Sequence, residues 1–199
     1  MIKLEYFTPN DFKSLVNWIS DEDLLVNWAG SQFRFPLTEE KLESYLKDAN
    51  DFEQSSTLIY KAVDAETNEV VGHASLTAIN RSNRSARITR VLVGNSSERG
   101  KGIGEQIIKA LMRIGFETMN LHRMSLGVYT FNEAGIRCYK KCGFNTDGVL
   151  RDIKKHGDTY WSMVEMSILE DEWREMNNTS TKASHPQEAV LMANTFSHG

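Results

Sequence analysis

The sequence has little of what marks a membrane-bound or nucleic-acid-binding protein. Its 199 residues include 23 basic and 27 acidic side chains, which give a formal net charge of −4 at pH 7. It has no polybasic tract, and this argues against nucleic acid or an anionic membrane as the main partner. The apolar runs are too short to cross a bilayer, and the N-terminus lacks the apolar core of a signal peptide. We therefore expect a cytoplasmic protein.

Cysteine is equally scarce, with only Cys138 and Cys142, four positions apart in a predicted helix. At that spacing the two thiols share a helix face, but helix geometry does not favour a disulfide between them. A single pair with no second ligand pair makes a poor zinc site. We expect both to be small buried core residues, and we predict no metal site.

The remaining composition is that of one compact domain, since 40% of the residues are hydrophobic. We predict one domain over residues 1–176. From Asn177 onward the sequence turns polar and has no apolar face to bury, so residues 177–199 are expected to form a flexible tail.

Apolar periodicity predicts a mixed α/β chain. Three consecutive strands joined by short polar connections should pair antiparallel, and a helix must cross back to bring the next strand alongside in parallel. We read residues 145–148 as a turn before a final hairpin. The predicted strands are 2–7, 57–63, 70–79, 86–93, 123–129, 149–155 and 159–169. Helices are predicted at 9–19, 38–46, 105–119 and 132–144, and a turn or short helix at 21–28.

A glycine-rich turn lies between the strand that ends at Val93 and the helix that follows, and it predicts an anion site. Glycines let the backbone curl so that successive N–H groups point to one spot, and the helix adds its unpaired N–H groups and positive dipole end. Basic side chains at the rim suit a ligand with several phosphate charges. The turn comprises Arg99, Gly100, Lys101, Gly102, Ile103 and Gly104. An ordinary glycine-rich bend is the alternative.

Two other phosphate-binding motifs fit this turn less well. A dinucleotide-binding site would need Gly-x-Gly-x-x-Gly directly after a strand and an acidic residue at the end of the next strand, which here ends in Tyr129. A Walker loop needs Gly-Lys followed by Ser or Thr, and the sequence has no such tripeptide.

The arrangement Arg-x-x-Gly-x-Gly at 99–104, followed by Asn132, Tyr139 and Gly143-Phe144, resembles the GNAT superfamily of N-acetyltransferases over residues 86–144. The resemblance implies a mixed, mostly antiparallel sheet flanked by helices, acetyl-CoA as co-substrate and an amine as acceptor. The final hairpin, preceded by Gly-Val-Leu-Arg at 148–151, is similar to that of the ribosomal-protein alanine N-acetyltransferase branch. We expect a monomer or a homodimer.

The resemblance also implies roles for individual residues. The N–H groups of the glycine turn would hold the pyrophosphate, and Arg137 or Lys140 would reach an outlying phosphate. The backbone of Val91, Leu92 and Val93 would pair with the pantetheine arm and polarise the thioester carbonyl. Asn132 would hydrogen-bond the pantetheine. Tyr139 would protonate the departing thiolate, a fitting task for a phenol of pKa near 10, although it could instead be a core aromatic.

The acceptor side is less defined by the sequence. Trp28, Phe33 and Phe35 lie in the connection at 27–36, where they either fold onto the core or form a wall of the acceptor pocket. No acidic residue ends the strand at 86–93, so the general base is either Glu165 or water. The acceptor could be a protein N-terminus, an aminoglycoside, a polyamine or a small amine. A non-catalytic acyl-CoA-binding module and a nucleotide-binding domain of another fold are the alternative functions.

Overall fold

The computed structural model describes residues 1–183, which form a seven-stranded sheet in the order β1-β2-β3-β4-β5-β7-β6. All neighbouring strands pair antiparallel except β4 and β5, which are parallel. The predicted α/β fold with a mixed, mostly antiparallel sheet is therefore confirmed. The strands are β1 (Ile2–Tyr6), β2 (Leu58–Asp64), β3 (Val70–Asn80), β4 (Ser85–Val93), β5 (Arg123–Tyr129), β6 (Asn145–His156) and β7 (Thr159–Leu169).

Six α-helices flank this sheet within residues 1–183, and local sequence explains where several begin. The Asp21 side chain accepts a hydrogen bond from the Leu24 N–H, and Asn132 does the same for Gly135, as N-cap residues do. None of these helices is long and apolar enough to span a membrane. They are α1 (Phe12–Trp18), α2 (Glu22–Ala29), α3 (Glu39–Leu46), α4 (Ile103–Arg113), α5 (Glu133–Lys141) and α6 (Glu170–Ala183).

Apolar side chains fill both faces of the sheet. Because successive strand residues point to opposite faces, Leu58 and Tyr60 join one buried cluster and Ile59 joins the other. The first cluster lies under α4 and includes Ile107 and Leu111. The second contains the aromatic and aliphatic side chains of the N-terminal helices.

Strands β4 and β5 separate after a short paired segment. Their ladder joins Ser85, Ala86 and Arg87 to residues 123–125 and has no further rungs within residues 1–183. On its other side β4 carries a β-bulge, because the one residue of β3 between His73 and Ser75 opposes the two residues of β4 between Thr89 and Leu92. Arg90 lies in this bulge with φ of 54°. The two strands therefore open a gap at the centre of the sheet.

The predicted turn at 145–148 is wrong, because β6 already begins at Asn145 and pairs with Ser167 of β7. Asn, Asp and Gly are typical turn residues, but here tertiary partners satisfy the polar groups. The Asp147 carboxylate accepts one hydrogen bond from the Ser167 hydroxyl at 2.7 Å and another from Arg123 at 2.8 Å. The strand is thus longer than its composition indicates.

The C-terminal boundary predicted after residue 176 falls inside α6, which continues to Ala183. This helix is attached to the domain by Trp173, whose ring stacks on Phe116 with centroids 5.3 Å apart. Residues 177–183 of the predicted tail are therefore helical, and residues 184–199 lie outside the described part of the chain.

Gly94, which follows β4, allows close packing that a side chain would prevent. A Cβ at this position would collide with the Trp18 indole, whereas a Cβ at Gly148 would meet nothing within 4 Å. We expect Gly94→Ala to lower the free energy of unfolding by about 1–3 kcal/mol through overpacking. Gly148→Ala is the matched control and should change it little. Urea denaturation measures both, and equal midpoints would contradict the packing argument.

Candidate active site

Two adjoining cavities lie where β4 and β5 separate. The loop cleft, of ≈ 500 Å³, runs along the glycine turn and α5, and the inner cavity, of ≈ 240 Å³, lies between the two strands and α2. They meet because they share six lining residues, namely Leu24, Asn27, Val91, Leu92, Asn132 and Tyr139. The shared residues mark the point at which ligands bound in the two cavities would come together.

The glycine turn has the backbone geometry of an anion site. Gly100 and Gly102 have φ of 81° and 85°, which only glycine adopts readily, and a Cβ at either would meet nothing within 4 Å. Conformation, rather than space, therefore requires glycine here. Gly102 is the N-cap of α4 and provides no side chain to bond the N–H groups of the first turn. Those N–H groups are free to bind an anion at the wall of the loop cleft.

The loop cleft also carries charged side chains. Arg99, Arg137 and Lys141 line it together with one acid, Glu105. The Glu105 carboxylate contacts the Lys109 ammonium at 2.7 Å and the Lys141 ammonium at 2.6 Å, and these two contacts lower its pKa. The acid is thus balanced by two cations, and the charge of the cleft suits a polyanionic ligand.

The orientation of α5 decides which of its residues reach the cleft. Six of its nine residues line the cleft, at 134, 135, 137, 138, 139 and 141. The other three, at 133, 136 and 140, follow the i, i+3, i+7 spacing of the opposite helix face. Lys140 is one of these three, whereas Lys141 lines the cleft, so the predicted contact of Lys140 with a phosphate stays a prediction. Lys101 and Ile103 are also absent from the lining, and Lys101 instead pairs with Glu98 at 2.9 Å. The other predicted cofactor-binding residues line the cleft.

The two cysteines differ in their surroundings. Cys142 is 1% exposed, as expected, but Cys138 is only partly buried and lines the loop cleft. The prediction that both are buried core residues is therefore wrong for Cys138. Its place in the cleft follows from the helix face that it shares with Arg137 and Lys141.

Tyr139 lines both cavities. Burial raises the pKa of its phenol, and the neighbouring thiols of Cys138 and Cys142 add to this shift. The side chain thus stays protonated at neutral pH. Its hydroxyl forms no hydrogen bond with another residue of the described chain, so its proton is available to a ligand.

Two buried side chains hold the β-bulge of β4. The Arg90 carbonyl accepts a hydrogen bond from Trp28 Nε1 at 2.8 Å and lies 3.1 Å from His73 Nδ1. A carbonyl can only accept, so Nδ1 carries the proton in this contact. His73 is fully buried, and burial lowers its pKa to about 4, which keeps the ring neutral at pH 7. Sequence reasoning had no signal for this bond, because the partners are far apart in the chain.

The three aromatic residues of the N-terminal connection have different environments. Trp28 is 7% exposed and lines the inner cavity, so it is both a core residue and part of a wall. Phe33 stacks on it with ring centroids 5.9 Å apart, and Phe35 is 42% exposed. Phe33 and Phe35 do not line the inner cavity. Their predicted contact with the acceptor stays a prediction.

Glu165, predicted as a candidate base, is held in an ion pair. Its two oxygens accept hydrogen bonds from the Arg87 guanidinium, both at 2.7 Å. A Cβ at Gly127, the residue that pairs with Glu165 across the strands, would collide with this guanidinium. The glycine therefore makes room for the pair at the edge of the inner cavity. Within residues 1–183, no three His, Cys, Asp or Glu side chains cluster as a metal site requires.

Residues 2–145 match the acetyltransferase (GNAT) domain family, and the chain belongs to this family. The family prediction made from the glycine turn and Tyr139 is confirmed. In this family the donor is acetyl-CoA, so the loop cleft is the candidate cofactor site and the inner cavity is the candidate acceptor site.

Relatives whose names state a substrate are acetyltransferases of amines. The chain is 26% identical over 158 residues to aminoglycoside N(6')-acetyltransferase type 1 of Klebsiella pneumoniae, covering 75% of this chain and 76% of the relative. It is 28% identical over 130 residues to spermidine N(1)-acetyltransferase of Escherichia coli, covering 65% and 67%. The structure of Vibrio cholerae spermidine N-acetyltransferase with CoA and spermine shares its fold, with a TM-score of 0.73, 21% identity and coverage of 86% and 97%. These relatives do not single out the ribosomal-protein alanine branch.

The glycine turn provides a test of phosphate binding that should leave the fold intact. Gly104 lies in the first turn of α4, where an acidic side chain stabilises a helix, and a Cβ there makes only ordinary contacts at 3.8 Å or more. We expect Gly104→Asp to weaken acetyl-CoA binding by about ten-fold or more, or about 1.4 kcal/mol, because its carboxylate repels the phosphates. Calorimetry measures the affinity, and Gly148→Asp, which adds the same charge on β6, is the control. Equal affinities in the two variants would reject the site.

The hydrogen bond from Trp28 to the β-bulge generates a second test. Trp28→Phe keeps an aromatic ring but removes the donor, so the backbone beside the inner cavity is held less firmly. Losing one such bond costs about 0.5–1.5 kcal/mol, and we expect kcat to fall about three- to ten-fold with little change in the acetyl-CoA Kd. Trp173→Phe makes the same change away from both cavities and should preserve kcat. A Trp28→Phe enzyme with normal kcat would show that the bond does not serve the reaction.

Proposed function

We propose that the protein transfers the acetyl group of acetyl-CoA to a primary amine by direct attack in a ternary complex. The observation that carries the proposal is the position of Tyr139 at the boundary of the loop cleft and the inner cavity. A donor in one cavity and an amine in the other would meet beside a protonated phenol. Family membership supports acetyl-CoA as the donor.

Acetyl-CoA is proposed to lie along the loop cleft. The N–H groups at the start of α4 would bind the pyrophosphate, and Arg99, Arg137 and Lys141 would supply positive charge around it. Val91 and Leu92 line both cavities at the open edge of β4, where their backbone can pair with an extended arm. The acetyl group would then reach the end of the inner cavity.

In the proposed reaction the amine nitrogen bonds to the acetyl carbonyl carbon, and the carbon–sulfur bond breaks. A backbone N–H of β4 stabilises the negative charge that develops on the carbonyl oxygen. Sulfur leaves with the bonding electrons and takes the phenolic proton of Tyr139, which regains a proton from solvent. The amine gives its surplus proton to a base.

Water is the proposed final acceptor of that proton. Both oxygens of Glu165 already accept from Arg87, so the carboxylate has strong partners that compete with an incoming ammonium. His73 is neutral, but it does not line the inner cavity and is packed among Phe7, Trp28 and Tyr45. Solvent reaching the open cavity is the remaining route.

The acceptor is proposed to be a primary amine, either small or at a protein N-terminus. The aminoglycoside and spermidine relatives support an amine acceptor, and the likeness to the ribosomal-protein alanine branch stays a prediction. A monomer or homodimer in the cytoplasm also remains our expectation.

A non-catalytic acyl-CoA-binding module is the second candidate function. Free thiol released from acetyl-CoA across a panel of amines distinguishes the two, since a binding module would release none with any amine.

Tyr139→Phe tests the proposed acid. The ring and its packing remain, but the thiolate must leave without its proton donor, so we expect turnover to fall about a hundred-fold at neutral pH while acetyl-CoA binding is kept. Because burial raises the pKa of the phenol, the wild-type rate should not decline between pH 7 and 9 through loss of this proton. Steady-state thiol release measures the rate, and a melting curve checks folding. A loss of less than about three-fold would assign Tyr139 to packing.

A further inference from the structure

The inner cavity has an unusual charge for a site that receives an amine. Its lining residues within 1–183 include two basic residues, Arg87 and Arg90, and no Asp or Glu. An amine that arrives as a cation is repelled by such a lining unless the acceptor also brings negative charge.

The two arginines are not equivalent. Arg87 is neutralised by its two hydrogen bonds to Glu165. Arg90 contacts only uncharged partners in the described chain: its guanidinium lies 5.0 Å from the centre of the Tyr45 ring and donates to Thr89 Oγ1 and to Gln32 Oε1. Its Nε is buried and has no partner among residues 1–183. Within the described part of the chain, Arg90 is thus a partly buried cation without a counter-ion.

Other charged groups near the cavity do not compensate for Arg90. The Asp23 carboxylate, beside the lining residue Leu24, is mostly exposed to solvent and lies 2.9 Å from His156 Nε2. On the loop beside Gly30, Ser31 accepts a hydrogen bond from Lys154, which adds a further cation. The surroundings therefore increase the positive charge at this side of the cavity.

We propose that the acceptor carries a carboxylate on the same molecule as its amine, and that Arg90 binds this carboxylate. The proposal rests on the proposed acetyl transfer and names the acceptor class for it. A guanidinium with unused N–H donors binds a carboxylate through charge-assisted hydrogen bonds. A volume of ≈ 240 Å³ suits a small acceptor. Polycations such as spermidine and aminoglycosides, the acceptors named for the relatives, lack the negative group that this lining requires.

The test compares three amines of each chain length: an ω-amino carboxylate, its primary amide and the corresponding diamine. Varying the chain length covers the unknown separation between Arg90 and the reacting amine. With wild-type protein we expect kcat/KM to be about ten-fold or more higher for the best carboxylate than for its amide, and lowest for the diamine. Added salt should reduce the carboxylate preference, because the attraction is electrostatic.

Arg90→Gln should bring the carboxylate and the amide to within about three-fold of each other, mainly through a higher KM for the carboxylate. Arg113→Gln removes an exposed arginine of α4 and should keep the preference. Preferred acetylation of diamines, spermidine or an aminoglycoside by the wild type would overturn the proposal, as would an equal loss on all three amines in Arg90→Gln. Absence of thiol release with every amine, despite acetyl-CoA binding, would instead reject the proposed function.

Discussion

The two cavities depend on one carbonyl oxygen, that of Arg90. Trp28 and His73, from α2 and β3, both hydrogen-bond to it and hold the extra residue of β4 in a left-handed conformation. A bulge bends the strand and increases its twist, and here β4 leaves β5 after three paired residues. The freed edges of the two strands line the inner cavity, and the edge of β4 also lines the loop cleft. The β-bulge in the ladder between β3 and β4 thus opens the space in which donor and acceptor can meet.

Features that depend on local sequence could be predicted. The glycine turn, the strand at 123–129 and the Asn132 cap follow from short-range rules of conformation and capping, and the structure has each of them in place. Tyr139 could be selected because its motif lies within one capped helix. The family resemblance added what local rules could not, namely that the glycine turn and Tyr139 belong to the same site.

Features that depend on distant contacts could not be predicted. The ion pair of Arg87 with Glu165 joins residues 78 positions apart, and nothing near either residue in the sequence indicates it. Lys141 lines the loop cleft and Lys140 does not, because a rotation of about 100° per residue separates adjacent side chains, and a motif alone does not say which one faces the cleft. The turn predicted at 145–148 failed because β7 supplies partners for its polar groups. In each case tertiary packing overrides a correct local preference.

A positively charged inner cavity also bears on how the acceptor loses its proton. An amine nucleophile must be neutral to attack, and a nearby cation disfavours the ammonium form and lowers its pKa. On the proposed function, Arg90 and the carboxylate of the acceptor neutralise each other. The described lining supplies no Asp or Glu to stabilise the ammonium, so burial in the inner cavity favours the free base. Less is then required of a general base, which fits a site whose predicted candidate base, Glu165, is already bound by Arg87. The lining would thus contribute to acceptor selection through Arg90 and to the reactivity of the amine through its lack of Asp and Glu among residues 1–183.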